Sequence, residues 1–292
     1  MRRMAVGLIV LSLIGCGSPS KRAPEESMTA GHATIGTSDA IFALTWKLSA
    51  AFQTNSPGAF VDMVRSGNLA LVDSLLNERV EEIFLDRPLL PAETLAFRNA
   101  GLKLHTYPVA FYPVYLLVAR DNPVQNLDSV KLRRVLTGEI TNWKELGGED
   151  RALALYIQLP GEGTFESLAN YFSGLDSVAA EPCSTLKAML EQARGDAGAL
   201  LAYPLPADDL PYKRLAFERE GYYIPANVET ILEPPTYPFM LAPTYVTTHN
   251  KADVAAGYLT FAVSNTGQRE AMRLGYRPAA VPVRMVRMKA PG

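Results

Sequence analysis

Features that would indicate a nucleic-acid-binding, membrane-spanning or disulfide-rich protein are missing from this sequence. The 292-residue chain carries 28 basic and 30 acidic residues, so it lacks the excess of basic charge that nucleic-acid binding requires. It contains two cysteines, and beyond the N-terminal segment no apolar run is long enough to cross a bilayer. The hydrophobic share of 48% fits a folded soluble chain. We therefore expect a small molecule or another protein as the partner.

The sequence patterns of common catalytic and cofactor sites are also missing. No nucleophile elbow, zinc-protease helix, Cys-x-x-Cys pair or P-loop occurs, and the three histidines are scattered along the chain. The turn around Gly161 and Gly163 has Glu166 where a dinucleotide-binding loop needs a third glycine, which argues against a Rossmann cofactor. We therefore predict no metal site, no cofactor and no catalytic residue.

The N-terminus is typical of an exported lipoprotein. Two arginines precede an apolar run that is too short to span a bilayer stably, and a glycine separates this run from Cys16. We predict a lipoprotein signal peptide over residues 1–15, lipidation of Cys16 and an unstructured tether over residues 16–32. An ordinary cleaved signal, with Cys16 incidental, is the alternative. Lipidation would leave Cys183 without a disulfide partner, as a buried and inert thiol.

Short apolar segments alternate with segments of helical periodicity through the rest of the chain. This alternation predicts an α/β fold built on largely parallel sheets, and the length suffices for two lobes. Apolar runs and proline-rich turns place two crossings between the lobes, near Tyr107 and near Tyr237. We expect one lobe to contain residues 33–107 and 237–292, and the other to contain residues 108–236.

Two turns of small residues each join a predicted strand to a predicted helix. The first turns of helices carry unpaired N–H groups and partial positive charge. If the two helices face one another from opposite lobes, they can bind an oxyanion with few Lys or Arg residues. Each turn alone is a weak indication, because Ser or Thr at such a position usually only caps its helix. The turns are Gly36-Thr37-Ser38 and Gly161-Glu162-Gly163-Thr164.

Longer motifs indicate a family. The segments Asn122–Leu127 and Leu136–Gly148 resemble the signature of phosphate-type ABC-transporter binding proteins, and the resemblance extends over nearly the whole mature chain. It implies a two-lobed periplasmic-binding-protein fold of type II, in which each lobe is a mostly parallel sheet flanked by helices and the chain crosses twice. It also implies a monomer that binds a small anion such as phosphate and works with an ABC permease. Its expected place is the periplasmic or extracytoplasmic face of a membrane.

The resemblance also implies a set of ligand-binding residues, some of which depart from the family pattern. An arginine is replaced by Gln158, an aspartate by Pro160, a serine by Glu162 and a threonine by Ala40. An added carboxylate at about 4 Å from an anion costs on the order of 4 kcal/mol at an effective dielectric constant near 20, so we expect a weakened or altered anion site. The positions carried over are Ser38, Asp39, Ser66, Asp86, Gln158, Glu162, Gly163 and Thr164.

Three explanations of Glu162 remain open. In the first explanation, Glu162 is protonated or turned outward, and Arg65 or Arg87 supplies the missing positive charge. Alternatively, it occupies a helix N-terminus itself, so that the pocket takes a neutral or cationic ligand. In the third explanation the site is vestigial.

Three classes of function follow from these observations. The favoured one is a solute-binding lipoprotein that closes like a hinge on its ligand and delivers it to a permease. The second is an envelope lipoprotein that keeps the fold but serves as an interaction module or binds a solute other than phosphate. The third is an enzyme with Asp86 and Glu162 as a general acid-base pair, for which the chain offers no nucleophile and no fixed separation. We expect a protein without enzyme activity.

Overall fold

The computed structural model describes residues 26–173, 175, 178–204, 210–227, 230–231 and 236–279. The predicted signal peptide, Cys16 and most of the tether lie outside the described residues. None of the described helices is long and apolar enough to span a bilayer. The described strands are β1 (Ala30–Ser38), β2 (Gly58–Ser66), β3 (Glu82–Leu85), β4 (His105–Pro108), β5 (Ala110–Pro113), β6 (Tyr115–Ala119), β7 (Asn126–Asp128), β8 (Ala154–Gln158), β9 (Glu181–Cys183), β10 (Ala199–Tyr203), β11 (Tyr212–Arg214), β12 (Ala216–Arg219), β13 (Tyr222–Ile224), β14 (Met240–Leu241), β15 (Thr244–Thr247) and β16 (Arg277–Pro278).

Helices pack on the sheets, and several of them start at a side-chain cap. Asp128, Thr185, Asp253 and Ser264 each accept a hydrogen bond from a backbone N–H in the first turn of the helix that follows. The described helices are α1 (Phe42–Asn55), α2 (Asn68–Leu76), α3 (Pro91–Asn99), α4 (Ser129–Leu136), α5 (Gly163–Tyr171), α6 (Leu186–Gln192), α7 (Val254–Val263) and α8 (Asn265–Arg273), with short 3-10 helices at Asp39–Ile41 and Trp143–Leu146.

The first sheet has the strand order β2-β1-β3-β15-β4, and we call this sheet with its helices the first lobe. β1 pairs in parallel with β2 and with β3, so that the carboxyl ends of all three strands lie at one edge. β1 begins at Ala30, three residues before the predicted start of the fold, because Ala30 already pairs with Gly58 of β2. The hydroxyl of Tyr258 in α7 donates to the carbonyl of Thr45 in α1 at 2.8 Å, which joins two helices of this lobe.

The second sheet has the order β11-β6-β10-β8-β9 and forms the second lobe with its helices. β8 pairs in parallel with β10 and β9, and its carboxyl end at Gln158 leads through a short turn into α5. Trp143 is buried, and its indole N–H donates to the Gly198 carbonyl at 2.8 Å. The Trp143 motif therefore contributes to the packing of this lobe. Cys183 is a buried free thiol, as predicted.

Both sheets are mixed, whereas the sequence predicted mostly parallel sheets. β15 runs antiparallel to β3 and β4, and β6 runs antiparallel to β10 and β11. Each is the strand by which the chain enters a sheet from the other lobe. It starts at the edge where the neighbouring parallel strands end, and so it runs in the opposite direction. Both strands are buried almost throughout, and an unbroken apolar run carries no information about strand direction.

The two passages between the lobes lie side by side. β5, on the way out of the first lobe, pairs antiparallel with β14, on the way back. Further hydrogen bonds join the passages, from Val109 N to Pro243 O at 2.8 Å and from Val114 N to Phe239 O at 2.9 Å. These paired passages hold the two sheets so that their carboxyl edges face one another.

Candidate functional site

The carboxyl ends of the strands in both lobes open on one cleft of about 480 Å³. Parallel strands direct their carboxyl ends, and the loops and helix starts that follow them, to the same edge of a sheet. The first lobe lines this cleft with Asp39, Arg65, Ser66 and Gly67. The second lobe lines it with Gln158, Glu162, Ser184, Thr185 and Lys187.

Glu162 reaches from the second lobe to the start of a helix in the first. Its two carboxylate oxygens accept from the backbone N–H of Asn68, the first residue of α2, at 3.0 and 3.2 Å. Gly67 makes room for this contact, because a Cβ atom there would lie 2.6 Å from Oε1 of Glu162. Helix N-termini stabilise negative charge. A carboxylate of the protein therefore occupies a position that favours an oxyanion.

Asp86 makes the converse contact. It follows β3 in the first lobe, is fully buried, and lies against Gly163, the first residue of α5 in the second lobe. A Cβ atom at Gly163 would be 2.5 Å from Oδ1 of Asp86, so only glycine permits this approach. Each lobe thus places a carboxylate at the start of a helix that belongs to the other lobe. The helix starts that meet these protein carboxylates are those of α2 and α5, whereas the sequence predicted the helix after Ser38 as the contribution of the first lobe.

The side chain of Asn68 connects these groups. Its amide nitrogen donates to Oδ1 of Asp86 at 2.5 Å and lies 3.4 Å from the Gly161 carbonyl, and its amide oxygen accepts from the Asp86 N–H at 3.4 Å. One buried residue therefore contacts Asp86, Gly161 and Glu162. Sequence reasoning missed Asn68, because an asparagine directly after a glycine is an ordinary feature of a turn.

Arg87 is bound within the first lobe and to the second. Its side chain, 3% exposed, forms a bidentate pair with Glu93 at 2.7 and 2.8 Å, and its Nε donates to the Gly161 carbonyl at 2.7 Å. Glu93 also accepts from the Leu90 N–H at 2.7 Å at the start of α3. Arg87 is thus paired with Glu93, and its positive charge also opposes the rise in the pKa of Glu162 that burial causes.

Asp39 and Arg65 form an ion pair at the mouth of the cleft. Both side chains belong to the first lobe, and Asp39 also accepts from the Leu186 N–H of the second lobe at 3.2 Å. Arg65 is about half exposed and lies near the ring of Phe42, 5.1 Å from its centroid. The carboxylate of Asp39 thus provides another contact between the lobes, and Arg65 is paired with it.

Gln158 and Thr164 bind each other. The Thr164 hydroxyl donates to the Gln158 amide oxygen at 3.0 Å, and both residues are buried. Gln158 stands where the resemblance implied an arginine, so a neutral amide replaces a cation here. The Thr164 hydroxyl is consequently directed to this amide.

Burial changes the acidity of both central carboxyls. Burial, followed by the neighbouring Asp86 carboxyl, raises the pKa of Glu162 to about 7, against the opposing effect of the Asn68 N–H. Burial also raises the pKa of Asp86, while the hydrogen bond from Asn68 lowers it. Glu162 is therefore partly protonated near neutral pH. It is 6% exposed and is not turned outward, contrary to part of the first explanation.

The eight predicted site residues lie around one cleft but at different depths. Asp39, Ser66, Gln158 and Glu162 line it. Ser38, Asp86, Gly163 and Thr164 are buried beneath it, where burial raises the pKa of Asp86 and hydrogen bonds from Asn68, Ser38 and Gly163 lower it. Sequence reasoning also missed three cleft residues of the second lobe, which follow β9. They are Ser184, Thr185 and Lys187.

Comparison with known proteins gives the family. A family model described as "PBP superfamily domain" matches residues 22–266. The chain belongs to the PBP superfamily. Among the relatives of this PBP-superfamily protein, the phosphate-binding protein PstS of Bacillus subtilis is 24% identical over 221 residues, which cover 72% of this chain and 71% of PstS. The family resemblance seen in the sequence motifs is confirmed.

Two solved structures share the fold of this PBP-superfamily protein. One, from Clostridium perfringens, is described as a phosphate ABC transporter substrate-binding protein with bound phosphate; its TM-score is 0.75 at 20% identity, covering 86% of this chain and 100% of that one. The other, an ABC-type phosphate transport receptor from Vibrio cholerae, has a TM-score of 0.68 at 22% identity, covering 85% and 100%. These structures establish the two-lobed α/β fold.

Proposed function

We propose that this protein is an exported, lipid-anchored solute-binding protein of a phosphate-type ABC importer, in which Glu162 occupies the interlobe anion site. Its solute is a small oxyanion, with inorganic phosphate as the reference ligand, that competes with the Glu162 carboxylate for the start of α2. The observation that carries the proposal is the contact of both Glu162 oxygens with the Asn68 N–H, at 3.0 and 3.2 Å.

Other polar groups support an oxyanion as the solute. Arg65 and Lys187 bring positive charge to the cleft. The relative from Bacillus subtilis is named for phosphate binding, which supports the same class of ligand.

Calorimetric titration with phosphate tests the proposal. Wild type, Glu162→Ser, Glu162→Gln and the double variant Glu162→Ser/Gln158→Arg are compared. Removing a carboxylate about 4 Å from the anion relieves on the order of 4 kcal/mol of repulsion, about three decades of affinity. We expect wild type to bind weakly, Glu162→Ser to bind more tightly by up to about that factor, and the double variant to bind most tightly. Glu162→Gln keeps the size of the side chain and is expected to fall between wild type and Glu162→Ser.

Two outcomes would contradict the proposal. Equal affinity of wild type and Glu162→Ser would mean that Glu162 does not compete with the ligand. No binding by Glu162→Ser or by the double variant, with both still folded, would mean that this cleft is not an oxyanion site.

The proposed place and partners follow from the N-terminus and the family. We propose anchoring through lipidated Cys16, function as a monomer and delivery of the solute to an ABC permease. Cys16→Ser should move the protein from the membrane fraction to the soluble fraction. Retention on the membrane would contradict the lipid anchor.

One observation favours a second candidate, an envelope interaction module. The N–H of Asn68 already has an acceptor in Glu162, so contact between the lobes does not require a solute. A module would bind a protein partner whether or not phosphate is present, and small-angle scattering would detect no compaction on adding phosphate. We assign no reaction to the pair of Asp86 and Glu162, because Asp86 is fully buried and a substrate does not reach it.

A further inference from the structure

A second group of ionisable side chains lies at the end of the first sheet opposite the cleft. β3 begins at Glu82 and β15 ends at Thr247, and these two residues are paired across the antiparallel ladder. Glu81 directly precedes β3, while His249 and Asp253 lie between β15 and α7. The strand register therefore brings two neighbouring acids, Glu81 and Glu82, close to His249 and Asp253 from a distant part of the chain.

Three of these side chains have the donor atoms and the spacing of a metal site. Donor atoms of Glu81, His249 and Asp253 all lie within 4.8 Å of one another. Ligand atoms of a tetrahedral zinc site, each about 2.0 to 2.2 Å from the ion, lie roughly 3.3 to 3.6 Å apart, so side-chain rotations that bring these atoms about an ångström closer would bind one ion. Imidazole together with carboxylate suits zinc and related divalent transition metals.

Buried polar atoms beside this group are not satisfied by the protein. Glu82 is 2% exposed and interacts with the Thr247 side chain across the ladder, but its Oε2 has no further hydrogen-bond partner among the described residues. Both ring nitrogens of His249 are buried and also lack a partner there, and Oε1 of Glu82 is 3.7 Å from Nε2, too far for a hydrogen bond. Nearly all buried polar groups in folded proteins have partners, so these atoms indicate that something else binds at this point.

The other contacts of the group leave ligand atoms available. Oδ1 of Asp253 accepts from the Ala256 N–H at 3.0 Å as the cap of α7, which leaves its second oxygen for a cation. Lys251 lies 3.6 Å from Glu81, but both side chains are mostly exposed, and such pairs contribute little. An adjoining surface cleft of about 310 Å³ is lined by Glu81 and Asp253 and gives access from solvent.

We propose that Glu81, His249 and Asp253 bind one divalent transition-metal ion, with zinc as the reference, and that Glu82 orients the His249 ring. A carboxylate beside the second nitrogen of a metal-binding histidine fixes its tautomer and raises its affinity. The ion joins the start of β3 to the loop that leads into α7. This site is separate from the phosphate site and does not depend on the proposed transport function.

The experiment is a zinc titration of the full chain after treatment with a chelator. Calorimetry and native mass spectrometry should find one Zn²⁺ per chain, and zinc should raise the melting temperature. We expect His249→Gln to weaken binding by about tenfold or more. Asp253→Asn should also weaken it while keeping the cap of α7, since asparagine caps as well as aspartate. Equal melting temperatures of the variants and wild type in chelator show that the fold is kept.

Two matched controls separate this site from others. His32→Gln removes a histidine that lines the adjoining cleft and pairs with Asp62 at 2.8 Å; because it is not one of the three proposed ligands, it should leave zinc affinity unchanged. Glu162→Ser changes the cleft between the lobes and should also leave zinc affinity unchanged. The proposal is overturned if wild type does not bind zinc, or if His32→Gln weakens binding as much as His249→Gln does.

Discussion

Buried carboxylates lie at both ends of the first sheet, and the two ends differ in how these groups are satisfied. At the cleft, Glu162 accepts from the Asn68 N–H and Asp86 accepts from the Asn68 side chain, while the cation Arg87 is nearby. At the other end, Glu82 is equally buried, but one of its oxygens and both nitrogens of His249 have no partner among the described residues. Burial of a charge is tolerated only where partners compensate for lost hydration.

This difference indicates which kind of ligand each end of the sheet would bind. At the cleft, a carboxylate of the protein occupies the start of α2, and under the proposed function an oxyanion displaces it. The other end provides carboxyl groups and an imidazole, the nearby cation Lys251 is mostly exposed and contributes little, and we propose that a metal ion completes the group. The same rule on buried charge thus underlies both proposals, weakened oxyanion binding at one end of the sheet and metal binding at the other.

The largest expected effect is on the free energy of unfolding, when the buried ion pair of Arg87 and Glu93 beside the cleft is broken. Arg87→Met keeps most of the side-chain volume but leaves Glu93 buried without its partner, which should cost about 3–5 kcal/mol of unfolding free energy. Arg79→Met is the matched control, because Arg79 pairs with Asp73 at 3.1 Å where both side chains are exposed. It should cost about 1 kcal/mol or less. Urea denaturation of both variants measures the difference, and equal losses would mean that Arg87 is not needed at the cleft.

A somewhat smaller effect concerns pH. The pKa of Glu162 rises from 4.5 to about 7 in the folded protein, so the folded state binds this proton more tightly than the unfolded state does. The resulting stability is fully present below about pH 4.5 and is lost as the pH rises through about 7, a change on the order of 3 kcal/mol. Glu162→Gln lacks this titration.

The measurement is the difference in unfolding free energy between wild type and Glu162→Gln at several pH values. Acids that do not interact with Glu162 contribute equally to both proteins and cancel, whereas Asp86 titrates as a coupled pair with Glu162, so the difference reports this pair. We expect wild type to lose stability relative to Glu162→Gln between pH 4.5 and pH 8. A difference that stays constant over this range would mean that Glu162 is not buried in the contact described.

The smallest effect concerns the room that Gly67 makes for Glu162. Gly67→Ala places a Cβ atom 2.6 Å from Oε1 of Glu162, which should displace that carboxylate and cost about 1–2 kcal/mol. The same substitution in a Glu162→Ser background should cost much less, because the clashing atom is gone. A double-mutant cycle measures this coupling. Additive effects would show that the two residues are not in contact.

The sequence was sufficient for the architecture and for the location of the cleft. Hydrophobic periodicity predicted the α/β pattern, and apolar runs placed the crossings close to the paired passages at β5 and β14. Ser66 and Glu162, carried over from the family resemblance, line one cleft. What these patterns did not reveal was the direction of β6 and β15, since an apolar run buried on both faces reads the same either way.

The amino-acid sequence by itself determined the fold class and the family, because both depend on local periodicity and contiguous motifs. Only the tertiary structure decided the partners of the buried charges. Glu162 meets Asn68 across 94 residues of chain, and His249 comes near Glu82 through the register of β3 and β15. The physical reason is that the approach of the lobes and the pairing of strands fix these neighbours. No local sequence pattern encodes the approach of the lobes or the pairing of the strands.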